Sequence, residues 1–192
     1  MSTFFALTSR MKYIHRWALM RNASGESLSE HTCETAMLAH ALVTLHNTRF
    51  GGKLSPERAA TLALFHDLTE VLTGDMPTPV KYHNPAVRQA YEQVEQAACS
   101  TLVGLLPEDL RPSYHTLLCP GDEDAAYLLF IKAADKLSAL IKCVEEQKAG
   151  NCEFSAAYAA TLNKLQTMHM PEVDCFLAEC LPAYGEPLDG ML

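Results

Sequence analysis

The chain has 192 residues, 48% of them hydrophobic, which is enough for one domain with a sizeable core and too little for two ordinary ones. A formal net charge of -8 excludes the basic surface that a nucleic-acid polymer requires, but it leaves room for a small phosphorylated ligand beside a metal ion and one arginine. No apolar run is long enough to span a bilayer, and the opening residues MSTFFALTSRMKY lack the pattern of a signal peptide. Seven cysteines without a CxxC pair read as free thiols of a reducing compartment, with Cys99 and Cys143 as buried small hydrophobes, so the cytoplasm is the expected location.

Val, Ile and Thr do not gather into alternating runs. Ala and Leu recur at helical spacing between Gly, Pro and Asn breaks, so the expected fold class is all-α, with residues 1–192 as one domain. A short helix is expected over 3–12, with His15-Arg16-Trp17 after it. Ser24-Gly25 marks a turn. Ser27 and Glu30 have capping-box spacing, so a helix carrying His31, Cys33, Met37, His40 and Leu45 starts there and fades before Gly51-Gly52. Ser55-Pro56 starts the next helix, which places Ala59, Leu62, Ala63 and His66 on one face and ends by Gly74. Asn84-Pro85 starts a long helix to about residue 106, with Val87, Tyr91, Val94, Ala98 and Leu102 inward. Residues 107–120 read as irregular, with at most one helical turn. Asp122 to Asp124 read as the cap and first-turn charges of a helix that runs to Gly150. Helices over 153–168 and 171–181 follow, and the last dozen residues read as loose.

The chemistry concentrates in His66 to Lys81, HDLTEVLTGDMPTPVK. His31, His66, Asp67 and Asp135 are of metal-ligand type, and imidazole with carboxylate suits one divalent transition metal such as Co or Mn. Two histidines and two carboxylates leave positions open for water and substrate, as in a catalytic rather than a structural site. Asp135 follows Ile131, Lys132, Ala133 and Ala134, where an unpaired carboxylate is costly; a metal meets that need, and Lys132 or Lys136 is the plainer partner. Glu70, at i+4 from His66 and i+3 from Asp67, is expected on the same helix face, placed for proton transfer. Asp75, Met76, Pro77, Thr78 and Pro79 form a stiff polar loop. On residue type alone Arg16 reads as a surface arginine, Trp17 as a core ring, and Asp75 as a cap. His40, His46, His83, His115 and His169 read as ordinary core or surface residues.

The H…HD…D pattern of His31, His66-Asp67 and Asp135 resembles that of the HD-domain phosphohydrolase superfamily. Around it, RW at 16–17, LMRN at 19–22, SEHT at 29–32, HDLTEVLTGDMPTPVKY at 66–82 and IKAADKLSALIKC at 131–143 are similar to the bacterial 5'-deoxynucleotidase branch. The resemblance covers nearly the whole chain and thins after about residue 160. It implies an all-helical HD-domain bundle, a homodimer, and hydrolysis of deoxyribonucleoside 5'-monophosphates with one divalent ion per subunit. It also implies that His31, His66, Asp67 and Asp135 bind the metal, and that His31, Asp67 and Asp135 contact substrate as well. Glu70 takes the essential carboxylate position. Arg16 orients the phosphate, Trp17 presses on the sugar, and Asp75, Met76, Pro77 and Thr78 hold the nucleoside. Two readings stand beside this one. The first is another HD hydrolase, acting on a triphosphate, a cyclic nucleotide or an alarmone, which would call for more basic residues than Arg16, Arg21 and Lys81. The second is a metal- and nucleotide-binding module without turnover.

Overall fold

A computed structural model describes residues 1–81 and 83–191; Tyr82, the last residue of the longest motif, and Leu192 lie outside the described residues. Among the described residues all regular structure is helical, apart from one antiparallel bridge between His15 and Ser27. Helix α1 (Phe4–Thr8) runs into a 3₁₀ segment to Tyr13. Helix α2 spans Leu28–Arg49, and its capping box is formed as expected: Ser27 Oγ accepts from the Glu30 amide at 3.3 Å, and Glu30 Oε2 accepts from the Ser27 amide at 2.7 Å. Helix α3 spans Pro56–Phe65, capped by Ser55 Oγ on the Arg58 amide. Two single turns follow, α4 (Glu70–Thr73) and α5 (Thr78–Lys81). Helix α6 spans Pro85–Gly104 with Asn84 Oδ1 on the Val87 amide. Then come α7 (Arg111–Leu118), α8 (Ala125–Lys148), α9 (Ser155–Gln166), α10 (Pro171–Glu179) and α11 (Leu188–Met191).

The main core lies between α2, α3 and α8, where Leu42, Val43, Ala59, Ala63, Ala133, Ala134, Leu137 and Leu140 are closed to solvent, and α9 and α10 add Leu165, Val173 and Phe176. A second cluster holds Phe4, Met11, Leu28, Leu68, Leu102 and Leu106. The segment around His66 bridges the two: Ala63 sits in the first cluster and Leu68 in the second. Leu62 on one side and Leu68 on the other are buried, each contributing about 1.5–3 kcal/mol, so both flanks of that segment are anchored.

Several sequence expectations change. The helix expected to run on from Pro56 to Gly74 stops at Phe65. His66 Nδ1 lies 2.7 Å from the Ala63 carbonyl, the acceptor that the Asp67 amide would use in a continuing α-helix. Turns of i to i+3 type carry the chain through Leu68 and Glu70, until Gly74 ends α4 with a φ of 74°. Thr78 and Pro79 belong to α5 rather than to a loop. Residues 111–118 form two helical turns where irregular chain was expected. On α6, Val94 is exposed while Cys99 is buried, so the inward stripe is shifted by one position at that point. Cys99 is not a free thiol: it forms a disulfide with Cys119, joining α6 to the end of α7, while Cys33, Cys143, Cys152, Cys175 and Cys180 are free. Asp124 caps nothing. It is buried and takes a two-pronged ion pair from Arg58, with Nε to Oδ1 at 3.0 Å. Residues 181–185 are 3₁₀ helix, and Leu181 and Tyr184 pack on the main core, so the tail is partly tied down.

Candidate active site

Each donor comes from a different part of the frame. His31 projects from the second turn of α2 and is fully buried. Asp135 lies mid-way along α8, between residues of the main core. His66 and Asp67 come from the turn after α3. One ligand atom from each of His31, His66 and Asp67 falls within 4.8 Å of the others. Asp135 joins this trio through His31, with its Oδ1 3.3 Å from Nε2, while its Oδ2 is held by Lys136 Nζ at 2.7 Å. Its two oxygens are therefore divided between His31 and the plainer lysine partner, Lys136.

The donor set fits a divalent ion. His66 Nε2 lies 3.0 Å, and His31 Nε2 3.6 Å, from Asp67 Oδ2. Donors sharing one ion at usual bond lengths stand about 3.0–3.5 Å apart. His66 Nε2 is also buried without a hydrogen-bond partner, which a native interior tolerates only where something else meets it. Its other nitrogen is committed to the Ala63 carbonyl, which turns Nε2 toward Asp67. The local field favours a cation. Burial pulls the His66 pKa down, yet Asp67 and Asp135 outweigh it and bring it up to about 9. Burial pushes Asp67 and Asp135 up, yet the neighbouring histidines, and Lys136 for Asp135, hold both below the usual carboxylate range.

Glu70 is of the opposite kind. Burial, followed by the charges of Asp67 and Asp75, pushes its carboxyl up to about 9, and Oε2 is buried with no partner. Such a group is set to hold a proton beside a phosphate. Burial likewise raises Asp75, with Arg16 acting against it.

Arg16 reaches this cluster because residues 14–16 are zipped onto the start of α2. The Arg16 amide donates to the Glu26 carbonyl at 3.0 Å, and the Leu28 amide to the Ile14 carbonyl at 2.8 Å. Arg16 Nη1 donates to Glu26 Oε2 at 2.8 Å and Nη2 stands 3.9 Å from Asp135 Oδ1, so Arg16 is an inward rather than a surface arginine. Burial lowers the Arg16 pKa, but Glu26, Asp135, Asp67 and Asp75 together raise it. Trp17 donates from Nε1 to the same Glu26 oxygen at 2.9 Å, and its ring lies 5.2 Å from that of Phe154. Its φ of 59° is unusual for a bulky side chain, and the Trp17 carbonyl is held by the Met20 amide and Asn22 Nδ2. Trp17 is half-buried rather than a core ring. The structure thus groups His31, His66 and Asp67, adds Asp135 and Arg16 by direct contact, and sets Glu70 and Asp75 in the same field. No contact tying Trp17, Met76, Pro77 or Thr78 to the ligand trio is among those described. Glu26, which orients both Arg16 and Trp17, was missed in the sequence; the only available signal was that two inward donors need an acceptor.

The fold and this cluster together define an HD-domain phosphohydrolase. An HD-domain phosphohydrolase from Listeria innocua superposes with a TM-score of 0.82 at 25% identity, covering 95% of this chain and 88% of that one. The cyanophage S-2L HD phosphohydrolase, solved with dA and one catalytic Zn²⁺ ion, shares the fold at a TM-score of 0.62 and 18% identity, over 94% of this chain and 95% of that one. The family model for "5'-deoxynucleotidase YfbR-like" matches residues 3–184, and the chain belongs to that family. Among its relatives are a 5'-deoxynucleotidase of Erwinia tasmaniensis, 45% identical over 98% of this chain and 95% of the relative, and one of Photorhabdus laumondii, 43% identical over 98% and 96%.

Proposed function

We propose that this protein is a metal-dependent 5'-deoxynucleotidase, which hydrolyses deoxyribonucleoside 5'-monophosphates to deoxyribonucleosides and phosphate. The reading takes residues 1–192 as one catalytic domain. The observation that carries it is the trio of buried His31 with half-buried His66 and Asp67, in a chain matched nearly end to end by 5'-deoxynucleotidases.

In this reading His31, His66, Asp67 and Asp135 hold one divalent ion, Co or Mn by the resemblance. When bound, the ion supplies Lewis-acid charge at the phosphoryl group. Arg16 offers its guanidinium fork to the phosphate oxygens, with Nη1 braced on Glu26 and Nη2 facing the cluster. A water attacks phosphorus in line with the departing 5'-oxygen. Glu70, with its raised affinity for a proton, donates it to that oxygen as the P–O bond breaks, and is reprotonated by the proton that the attacking water gives up. A binding module without turnover has no use for a buried carboxyl of this kind.

Trp17 stands as the wall against C2' of the sugar. Its ring is fixed by Glu26 and Phe154, leaving no room or partner for a 2'-hydroxyl. Asp75 accepts from the 3'-hydroxyl, and Met76, Pro77 and Thr78 line the nucleoside side. We also place the enzyme in the cytoplasm as a homodimer. No helix among the described residues is long and apolar enough to cross a membrane.

The test is phosphate release from dAMP, dTMP and AMP by the Co²⁺- or Mn²⁺-loaded protein, beside Glu70→Ala. Release from the deoxy substrates that collapses in the variant supports the reading. Equal release by the variant removes the role of Glu70, and no release from any monophosphate removes the nucleotidase itself.

A further inference from the structure

Behind His31, at the ring nitrogen that does not face Asp67, two polar side chains are aligned that the proposed chemistry does not use. His31 Nδ1 is 2.9 Å from Ser138 Oγ, and Ser138 donates to Glu34 Oε2 at 2.6 Å. The three residues come from two helices, His31 and Glu34 from α2 and Ser138 from α8, and both His31 and Ser138 are closed to solvent. Thr35 Oγ1 is the other polar neighbour of the ring, at 3.4 and 3.5 Å from its two nitrogens, which is too long to compete.

The direction of these bonds is fixed by what each group can do. An ionised carboxylate only accepts, so the single Ser138 hydroxyl proton goes to Glu34. Ser138 Oγ then has only lone pairs left for His31, so His31 Nδ1 carries the proton and donates it. The proton on Nδ1 leaves the lone pair on Nε2, the atom that faces Asp67 and Asp135. Burial raises the Glu34 carboxyl from its ordinary value while the Ser138 hydroxyl bonded to it acts against that, and the side chain is partly open to a solvent-facing recess lined by Glu26, Glu30, Glu145 and Lys142, which hydrates its charge.

We propose that Glu34 and Ser138 are positioning residues: they lock His31 as an Nε2 donor and raise the affinity of the site for a divalent ion. The inference rests on the metal-site reading above and adds two residues to it. Glu34 acts only through Ser138, and Ser138 acts only through His31. The carboxylate and imidazole come from α2 and the serine between them from α8, so the relay couples ring orientation to the packing of those helices.

The experiment is calorimetric titration of chelator-stripped protein with Mn²⁺ and Co²⁺, for the wild type, Ser138→Ala, Glu34→Gln and the double variant, each checked for folding by circular dichroism. Loss of an outer partner of a ligating histidine weakens metal binding by about 10–100-fold, and Ser138→Ala should fall in that range. Glu34→Gln keeps an acceptor and loses the charge, so its loss is smaller. The double variant should bind no more weakly than Ser138→Ala alone, because Glu34 has no route to the metal without the hydroxyl. A merely structural role would give additive losses and would not spare the double variant. In the Zn²⁺-loaded protein labelled with ¹⁵N-histidine, the His31 Nδ1–H correlation should be present in the wild type and shift upfield in proton in Glu34→Gln. This second readout stands even if Ser138→Ala fails to fold. If the wild type binds the ion and folded Ser138→Ala and Glu34→Gln bind it equally well, the relay is overturned while the metal site survives. If the wild type binds no ion, the metal-site reading falls and the relay with it.

Discussion

His31 and Asp135 stand within two long helices, whereas His66, Asp67, Glu70 and Asp75 stand on chain that forms no helix longer than four residues before α6. In the first region position comes from packing: Ala133, Ala134 and Leu137 lock α8 against α2 and α3. In the second it comes from local bonds, such as His66 Nδ1 on the Ala63 carbonyl, and from one buried anchor, Leu68. A side chain held by a helix can be moved only by disturbing the core, while one held by a turn depends on a few contacts beside it.

The largest effect should come from the turn itself. Asp67→Ala removes the oxygen that faces both histidines, and phosphate release from dAMP should fall to background while circular dichroism is unchanged. Retained activity would remove Asp67 from the chemistry.

Glu146 tests the frame that carries Arg16 and Trp17. Buried on α8, it accepts from the Ala23 amide at 2.7 Å and the Ser24 amide at 3.2 Å, and it pairs with Lys142. Glu146→Ala leaves that buried lysine without a counter-charge, held only by the Ser24 carbonyl and the Phe154 ring, at a cost of about 3–5 kcal/mol in urea unfolding near pH 7. Burial pushes the Glu146 carboxyl up, but Lys142 and the Ala23, Asn151 and Ser24 donors bring it down from 4.5 to about 2. A depressed carboxylate stabilises the fold above its ordinary pKa and loses that contribution as pH falls. The gap between wild type and variant should therefore be full above about pH 5 and shrink as pH falls toward about 2. A gap that does not change with pH would contradict the assignment.

Leu68→Ala and Leu137→Ala sharpen the contrast between turn and helix. Each should lose about 2–5 kcal/mol of stability, since both side chains are fully buried. At equal folded fraction, Leu68→Ala should also weaken metal binding, because it frees the turn that carries Asp67. Equal metal affinities would mean that the turn is held without its anchor. The smallest effect concerns selectivity: Trp17→Ala should raise activity on AMP relative to dAMP by about tenfold, the scale of a lost steric gate. An unchanged ratio would remove Trp17 from sugar selection.

The helices were legible where a cap and a break coincide, as at Ser27 with Glu30, Ser55-Pro56 and Asn84-Pro85, because those signals are local. The end of α3 was not, because nothing in the run from Ala63 to Glu70 announces that the His66 ring takes a backbone acceptor. The ligand candidates could be named from residue type and resemblance, although the helix-face argument that joined Glu70 to His66 does not hold across the turn. Glu26, Glu34 and Ser138 were not legible, since each gains its meaning from a partner at least several residues away. Cys99 pairs with Cys119 at a separation of 20 residues, which spacing without a motif does not reveal.

In the proposed function, the cluster of His31, His66, Asp67 and Asp135 binds the ion on which deoxynucleotide hydrolysis depends. It is tested most directly by stripping the protein with a chelator and following phosphate release from dAMP as Mn²⁺ or Co²⁺ is returned, with Asp67→Asn as the control. The expected result is no release before addition, saturable recovery in the wild type and none in the variant. Full activity in the stripped protein, or equal recovery in Asp67→Asn, would contradict it.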